Sequence, residues 1–237
     1  FGMSVITSVV AENTTRVLSV FNVPVEEIQK QIDAVFEDIH VDAVKLGMLP
    51  TAEIISAVAD KLNEYKPSII VCDPVMVATS GDALSEGGTV STMREKLFPI
   101  VTLLTPNIPE AEAISGLEIK NENHMEKAAR IIMDMGVKNV LVKGGHLTGD
   151  AVDYLCTPEG VHKLACKRVD SSNTHGTGCT LSSAITANLA HGMDMLSAVT
   201  KAKNYITEAI EKSFTVGKGH SPVNHFYDYY DLKGTVL

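Results

Sequence analysis

The stretch "VTLLTPNIPEAEAIS", residues 101–115, contains a complete strand, turn and helix. Its apolar, β-branched run ends near Thr105, a proline turn follows, and acidic and apolar residues then recur at helical spacing. Units of this kind repeat along the chain, so strands alternate with helices of ten or more residues. Such alternation predicts the α/β class, with a mostly parallel sheet that helices cover on both faces.

The same patterns predict the other elements. The run over 3–11 has the character of a buried strand, and "AVDYLCT" and "VHKLACKRV" alternate around "PEG" as a β-hairpin does. Ligands of such folds bind beyond the carboxyl ends of the strands. We predict strands over 3–11, 42–49, 68–77, 101–107 and 139–145, and helices over 25–39, 51–65, 89–98, 109–115, 124–136, 177–191 and 194–213.

The bulk composition limits the classes of function. The chain has 237 residues, of which 45% are hydrophobic and 21% charged, which fits one large globular domain. A formal net charge of −9 argues against a nucleic-acid partner or an anionic membrane surface. The four cysteines have no C-x-x-C spacing and the eight histidines no zinc-ligand spacing. These patterns favour a reducing cytoplasm and no structural zinc.

A glycine-rich turn, "NTHGTGC" (173–179), opens an apolar helix. Free backbone N–H groups and the helix dipole make such a turn an anion site, formed here by Gly176, Thr177, Gly178 and Cys179. A helix N-terminus favours the thiolate form of a cysteine, so Cys179 can accept a proton from an alcohol. The alternative is a simple helix start with a buried cysteine, and this segment alone supports both interpretations equally.

Four further residues follow predicted strands. Glu110 is a candidate Mg²⁺ ligand and Asn107 a phosphate contact, although both also fit an acidic first helical turn. Asp73 can hold a cation or a substrate hydroxyl, or simply cap a strand end. Lys143 can place a point charge on a transferring phosphate, or be a solvated lysine.

These groups together predict phosphoryl transfer. A carboxylate, a lysine, an anion-binding turn and a proton acceptor at one sheet edge supply the positioning and electrostatic stabilisation which that reaction needs. The sequence has no G-x-x-x-x-G-K-[ST] motif and no G-x-G-x-x-G motif. A P-loop enzyme is therefore excluded, and a dinucleotide-binding protein is disfavoured.

Seven motifs, in order along nearly the whole chain, make a specific combination. The chain resembles the hydroxymethylpyrimidine/phosphomethylpyrimidine kinases of thiamine biosynthesis, members of the ribokinase-like superfamily. The motifs are "GMSVITSVVAENT", "AVKLGMLPT", "CDPVMVATSGDAL", "LLTPNIPEAEAISG", "VLVKGGH", "NTHGTGCTLSSAI" and "GKGHSPVNHF".

The resemblance implies a ribokinase-like three-layer α/β/α sandwich, a single kinase domain over 1–237 and a homodimer. It also implies that ATP and Mg²⁺ are used to phosphorylate an aminopyrimidine alcohol and then its monophosphate; a monovalent cation is a further candidate cofactor. The implied catalytic residues are Gly176, Thr177, Gly178, Cys179 and Lys143. The implied nucleotide-binding residues are Asn107, Lys143, Gly144, Gly145 and Thr174. The implied substrate-binding residues are Glu12, Gly47, Met48 and Val75, and the implied metal-binding residues are Asp73 and Glu110.

The chain departs from the family pattern in three places. We expect the family's opening strand and its glycine-rich segment to be absent from this sequence. Glu12 stands where the family usually has glutamine, and a carboxylate matches an aminopyrimidine only if one of the two is protonated. The loops in "SGDALSEGGTV" and "GGHLTGDAVDYL" are short for the family. Pyridoxal kinase of the same fold remains the alternative enzyme, and a non-catalytic ligand sensor the alternative class.

Overall fold

The structure is a computed structural model that describes residues 1–76, 88–145 and 150–229. Of the two loops expected to be short, residues 80–87 and 146–149 lie outside these residues. Two strands, β1 (Ser8–Glu12) and β2 (Val17–Asn22), form an antiparallel ribbon. The central sheet of the described residues has six strands in the order β3-β4-β5-β6-β7-β8. These are β3 (Val44–Leu46), β4 (Ile70–Cys72), β5 (Leu103–Leu104), β6 (Val140–Val142), β7 (Ala151–Thr157) and β8 (Gly160–Cys166).

Strands β3 to β6 run parallel, whereas β6, β7 and β8 pair antiparallel, as the predicted hairpin requires. The third helical segment begins as a short α turn and continues through a π turn, Met93–Leu97, and a 3-10 turn, Phe98–Ile100. The helices are α1 (Val25–Phe36), α2 (Ala52–Tyr65), α3 (Thr89–Thr92), α4 (Ile108–Ser115), α5 (Glu122–Asp134), α6 (Thr177–Ala190) and α7 (Met195–Glu211).

Strands β4, β5 and β6 are apolar on both faces, and successive side chains divide between two cores. Ile70 and Cys72 of β4 pack in a cluster with α1, α2, α4 and α5. Val71, between them, packs with α6 and α7 on the opposite face. Side chains alternate across a strand, so continuous apolar runs bury both faces of the sheet. The predicted three-layer α/β/α arrangement is confirmed.

Local signals set several helix boundaries. The Thr51 side chain accepts a hydrogen bond from the Ile54 N–H at 3.2 Å, as predicted for the cap of α2. Helix α1, in contrast, ends at Phe36, before the expected end of its apolar face. Ile39, predicted to share that face, is 38% exposed.

The prediction of a buried strand over 3–11 is wrong. The strand covers Ser8–Glu12 and pairs with β2, which the sequence analysis did not identify. Val9 and Phe21, which face each other in the ribbon, are 57% and 66% exposed. An apolar β-branched run fits a free ribbon as well as a buried strand, and the described structure places no second layer over this one.

Within the described ranges, no helix is both long and apolar enough to span a bilayer.

Candidate active site

The carboxyl ends of β4, β5 and β6 bring three polar side chains into contact. Lys143 Nζ lies 2.7 Å from Asp73 Oδ1, and the Thr105 hydroxyl donates to the same oxygen at 3.0 Å. The Asp73 side chain is 3% exposed and that of Lys143 is 15% exposed. Neighbouring parallel strands end at the same edge, so residues far apart in sequence form one buried ion pair.

The charge on Lys143 is held by its neighbours. Burial lowers the pKa of Lys143, but the carboxylates of Asp73 and Glu110 outweigh it, and the net pKa is raised. The ammonium form of Lys143 is therefore favoured. Removing one partner of such a pair would leave an uncompensated buried charge.

Asn107 and Glu110 form a reciprocal cap at the start of α4. The Asn107 side chain accepts from the Glu110 N–H at 2.9 Å, and the Glu110 carboxylate accepts from the Asn107 N–H at 2.8 Å. Burial raises the pKa of Glu110, although Lys143 and the Asn107 amide act in the opposite direction. Both residues thus form a capping box, a structural role that the sequence analysis did not predict.

The glycine-rich turn adopts the geometry of an anion site. Gly176 is left-handed, with φ 78°, and directly precedes α6. No side chain of the described residues caps this helix. The Thr177 N–H donates to the Thr174 carbonyl at 3.3 Å, whereas the N–H groups of Gly178 and Cys179 have no partner among the described residues. A Cβ built on Gly178 would lie 3.2 Å from Asp73 Oδ2 and 3.3 Å from Lys143 Nζ. The turn therefore packs directly on the ion pair, and a side chain at Gly178 would require these two groups to shift by a few tenths of an ångström.

Cys179 follows this contact and is exposed. Its sulfur lies within electrostatic range of Lys143. It also borders an open groove of about 570 Å³ between α6 and α7, with Tyr205 and His225 on the far side. The thiol is therefore accessible beside the positive end of the helix.

The residues implied for the nucleotide lie on two neighbouring loops. The Thr174 carbonyl accepts from the Thr177 hydroxyl at 2.6 Å and so fixes the turn. A Cβ on Gly144 would lie 1.8 Å from the Val152 carbonyl oxygen, so this glycine is required by packing. Gly145 is exposed, and its carbonyl accepts from Arg168 at 2.7 Å.

The residues implied for the substrate are more dispersed. Gly47 and Met48 line a cavity of about 580 Å³, whereas Cys179 is not part of that lining. Val75 is half-buried two residues after Asp73. Glu12 lies at the end of β1, with its carboxylate 3.6 Å from the imidazole of His175. The structure thus brings Asp73, Lys143 and Gly178 into contact, whereas the residues implied for the substrate stay dispersed.

Sequence reasoning gave no role to Thr105, His175 or Lys203. Lys203 forms a buried pair with Asp153 at 2.5 Å, and Asp153 accepts from the Gly144 N–H at 2.9 Å. Through Asp153, this pair holds the loop after β6 in place. Its partners are 50 residues apart, so no local pattern could have revealed it.

The metal implied by the resemblance can be tested against the side chains present. The described residues contain no group of three or more His, Cys, Asp or Glu side chains that could hold a metal. Mg²⁺, however, binds mainly through one or two carboxylates, substrate phosphates and water. Both hydrogen bonds to Asp73 reach its Oδ1, and Glu110 is close enough to influence the same lysine. Asp73 and Glu110 therefore fit such a site.

These features define a class. An α/β protein whose sheet edge joins free N–H groups at a helix N-terminus, a lysine whose ammonium form is favoured and two buried carboxylates is built for phosphoryl transfer.

Comparison with known proteins agrees with this class. The family model for phosphomethylpyrimidine kinase matches residues 1–224. The thiamine biosynthesis bifunctional protein ThiED of Geobacter sulfurreducens is 48% identical over 98% of this chain, which spans 48% of that protein. The crystal structure of phosphomethylpyrimidine kinase from Clostridium difficile 630 is 43% identical, with a TM-score of 0.79, over 89% of this chain and 87% of that one. A Bacillus subtilis pyridoxal kinase, solved with ADP, is 36% identical, with a TM-score of 0.88, over 95% and 86%.

The chain therefore belongs to the phosphomethylpyrimidine kinase family. The ribokinase-like fold implied by the resemblance is confirmed, and the protein is an ATP-using phosphotransferase that acts on small molecules.

Proposed function

We propose that the protein transfers the γ-phosphoryl group of ATP to 4-amino-5-hydroxymethyl-2-methylpyrimidine and then to the resulting monophosphate, in thiamine diphosphate biosynthesis. The observation that carries this proposal is the contact of Gly178 with the Asp73–Lys143 pair, at 3.2–3.3 Å from the built Cβ. In this contact the ammonium group of Lys143 lies beside free helix N–H groups. An anion that develops charge during the reaction is best stabilised at such a place.

The first transfer follows from this arrangement. The free N–H groups of Gly178 and Cys179 hold the γ-phosphoryl group, and Lys143 faces its oxygens. The hydroxymethyl oxygen attacks the γ-phosphorus, the bond to the bridging oxygen breaks, and ADP leaves. The hydroxyl proton passes to the Cys179 sulfur, whose negative charge the helix N-terminus and Lys143 stabilise.

Nucleotide binding uses the adjoining loops. Asn107, Thr174 and Gly145 line the nucleotide side, and Asp73 and Glu110 would hold Mg²⁺, directly or through water. When bound, Mg²⁺ neutralises phosphate charge in the transition state. A monovalent cation near the same phosphates belongs to this proposal as a second cofactor.

Substrate recognition rests on the ribbon and on the cavity side. Gly47, Met48 and Val75 supply apolar contact to the pyrimidine, and Glu12 faces its ring nitrogen and amino group. A carboxyl group at this place forms both hydrogen bonds only if it or the ring is protonated, whereas glutamine matches the neutral ring. The acceptor KM of the natural protein should therefore rise with pH, and that of Glu12→Gln should not. Equal pH profiles would show that Glu12 does not bind the ring.

We also propose that the protein is a cytoplasmic homodimer and that residues 1–237 act as one kinase domain. All four cysteines lie in the described part and are free thiols, which suits a reducing compartment. The exposed apolar side chains of the ribbon, Val9, Leu18 and Phe21, support a partner surface there.

Pyridoxal kinase activity is the second candidate, because the Bacillus subtilis pyridoxal kinase superimposes with a TM-score of 0.88. The deciding experiment offers pyridoxine and the aminopyrimidine alcohol in parallel, with ATP, and measures phosphate acceptance. We expect kcat/KM to favour the pyrimidine by at least about 100-fold, the discrimination that one unpaired buried polar group can give. Preference for pyridoxine would replace the proposal, and binding without turnover of either would indicate a ligand sensor.

A further inference from the structure

The motif "GKGHSP" has no role in the function described so far, yet its loop contacts the ribbon closely. We call residues 216–222 the C-terminal loop. The Thr14 carbonyl, at the turn of the ribbon, accepts from the His220 N–H at 2.8 Å. The Thr14 hydroxyl accepts from the N–H groups of Gly219 at 3.1 Å and Lys218 at 3.3 Å. The turn of the ribbon is thus fixed to backbone donors of this loop.

The loop requires glycine to make this contact. A Cβ on Gly219 would lie 2.0 Å from the Thr14 carbonyl oxygen. Gly217 is left-handed, with φ 84°, and a Cβ there would lie 2.7 Å from the Thr14 hydroxyl. Both glycines are therefore explained by the docking of the ribbon.

The same loop also holds the segment that precedes the anion turn. The Ser221 carbonyl accepts from the His175 N–H at 3.1 Å, and His175 forms a parallel bridge with Pro222. The His220 imidazole lies 3.1 Å from the Ser172 carbonyl oxygen. One loop thus fixes both the ribbon and the residue directly before Gly176.

The C-terminal loop thereby brings together two side chains from distant parts of the chain. The Glu12 carboxylate and the His175 imidazole lie 3.6 Å apart and are 38% and 40% exposed. Both side chains are thus partly exposed, so a ligand can reach them. An imidazole at this place orients one carboxylate oxygen and leaves the other for the amino group of a substrate.

We propose that His175 is a positioning residue for Glu12 and that, through the C-terminal loop, it couples binding of the aminopyrimidine to binding of phosphate at the anion turn. The inference rests on the proposed function, because it assigns Glu12 to the acceptor. Phosphate bound at Gly176–Cys179 orders the turn, and with it His175 and Glu12. Such coupling is reciprocal, so the aminopyrimidine should also strengthen binding of the nucleotide.

A double-mutant cycle tests the coupling. Glu12→Gln, His175→Ala and the double variant are compared for acceptor KM and kcat at saturating ATP. We expect His175→Ala to raise the acceptor KM about 5-fold or more, as for contacting residues, with kcat within about 2-fold. It should have no further effect in the Glu12→Gln background. His175→Gln, which keeps a hydrogen-bond donor, should recover part of the loss, and His191→Ala, an exposed histidine beyond α6, is the control.

A second measurement uses the loop itself. Gly219→Ala should reproduce the rise in acceptor KM and should abolish the gain in aminopyrimidine affinity that a non-hydrolysable ATP analogue gives. Gly192→Ala, just beyond the C-terminal end of α6, where the added methyl meets open space, is the control. Independent, additive effects of Glu12→Gln and His175→Ala, or an unchanged KM in His175→Ala, would overturn the coupling alone. Failure of the natural protein to phosphorylate the aminopyrimidine would instead overturn the proposed function.

Discussion

At the scale of the residue, Cys179 has a chemical role that depends on the acceptor. An alcohol must lose a proton to attack phosphorus, and a positioned base contributes about 100-fold to 10,000-fold to such a step. A phosphate monoester has already lost its second proton above pH of about 6. The monophosphate therefore needs no base. The rates of the two transfers should then differ in how strongly they depend on the Cys179 side chain.

We predict that Cys179→Ala lowers kcat for the alcohol by about 100-fold or more and for the monophosphate by less than about 10-fold. The KM for ATP should stay within about 2-fold, since the backbone N–H groups remain. Single-turnover assays with each acceptor measure this difference, and Cys166→Ala, a half-buried thiol on β8, is the control. An equal loss with both acceptors would remove Cys179 as a base.

Glu110 shows how function opposes stability at one residue. Burial raises the pKa of this carboxyl above its unfolded value, so the folded state binds the proton more tightly than the unfolded state does. The free energy of unfolding from this group therefore falls as pH rises through the interval between the two pKa values. The charged form at neutral pH costs stability, which a role with Mg²⁺ and phosphate would explain.

We predict that Glu110→Gln is as stable as the natural protein or more stable at pH 8, with the difference shrinking as pH falls toward 4.5. The amide can still accept from the Asn107 N–H, so the cap of α4 is kept. Activity should fall because the carboxylate is lost. Urea titrations from pH 4.5 to pH 8 measure the first effect, and a stability loss that grows with pH would contradict it.

At the scale of the element, α6 offers a matched pair of glycines at its two ends. Gly176 precedes it with φ 78° and Gly192 follows it with φ 81°, and a Cβ on either would meet open space. The backbone strain of a substitution is therefore the same, while only one of the two positions borders the anion site.

We predict that Gly176→Ala and Gly192→Ala each lower the free energy of unfolding by about 1–2 kcal/mol, the cost of a left-handed non-glycine residue. Only Gly176→Ala should lower kcat, because it shifts the free N–H groups of the turn. Urea unfolding and initial rates, measured on both variants, separate the two effects. Equal kinetic losses would mean that the turn does not bind the transferring group.

At the scale of the whole molecule, the ribbon lies outside the layered core and presents apolar side chains to solvent. Val9 and Phe21 face each other across its two strands and are mostly exposed. Two copies that joined their ribbons would bury this surface.

We predict that the natural protein is a dimer in solution and that Phe21→Ser shifts it toward monomer without loss of helical circular dichroism. Phe214→Ser, at a phenylalanine outside the two ribbon strands that is 53% exposed, is the control. Light scattering measures the mass of each variant. A monomeric natural protein, or a dimer that Phe21→Ser leaves intact, would contradict the role of the ribbon.

The sequence predicted most of this architecture, and the sheet edge at which Asp73 and Lys143 meet, for identifiable reasons. Apolar runs and glycine or proline breaks gave the central strands, and Thr51 gave a helix start. The common edge of Asp73 and Lys143 followed from the order of strands and helices. The ion pair between these two side chains, which Thr105 joins, did not follow from that order. The contact depends on the register of strands whose paired residues are 70 positions apart. The ribbon was missed because its apolar pattern is the same as that of a buried strand.

The central claim is that one sheet edge performs two successive phosphoryl transfers to a pyrimidine. The most direct test incubates the protein with Mg²⁺, ATP and 4-amino-5-hydroxymethyl-2-methylpyrimidine and follows the products by ³¹P NMR. The account predicts a monophosphate that appears first and is then converted to a diphosphate, with one ADP formed for each transfer. ADP formation without a phosphorylated pyrimidine, or no reaction at all, would contradict it.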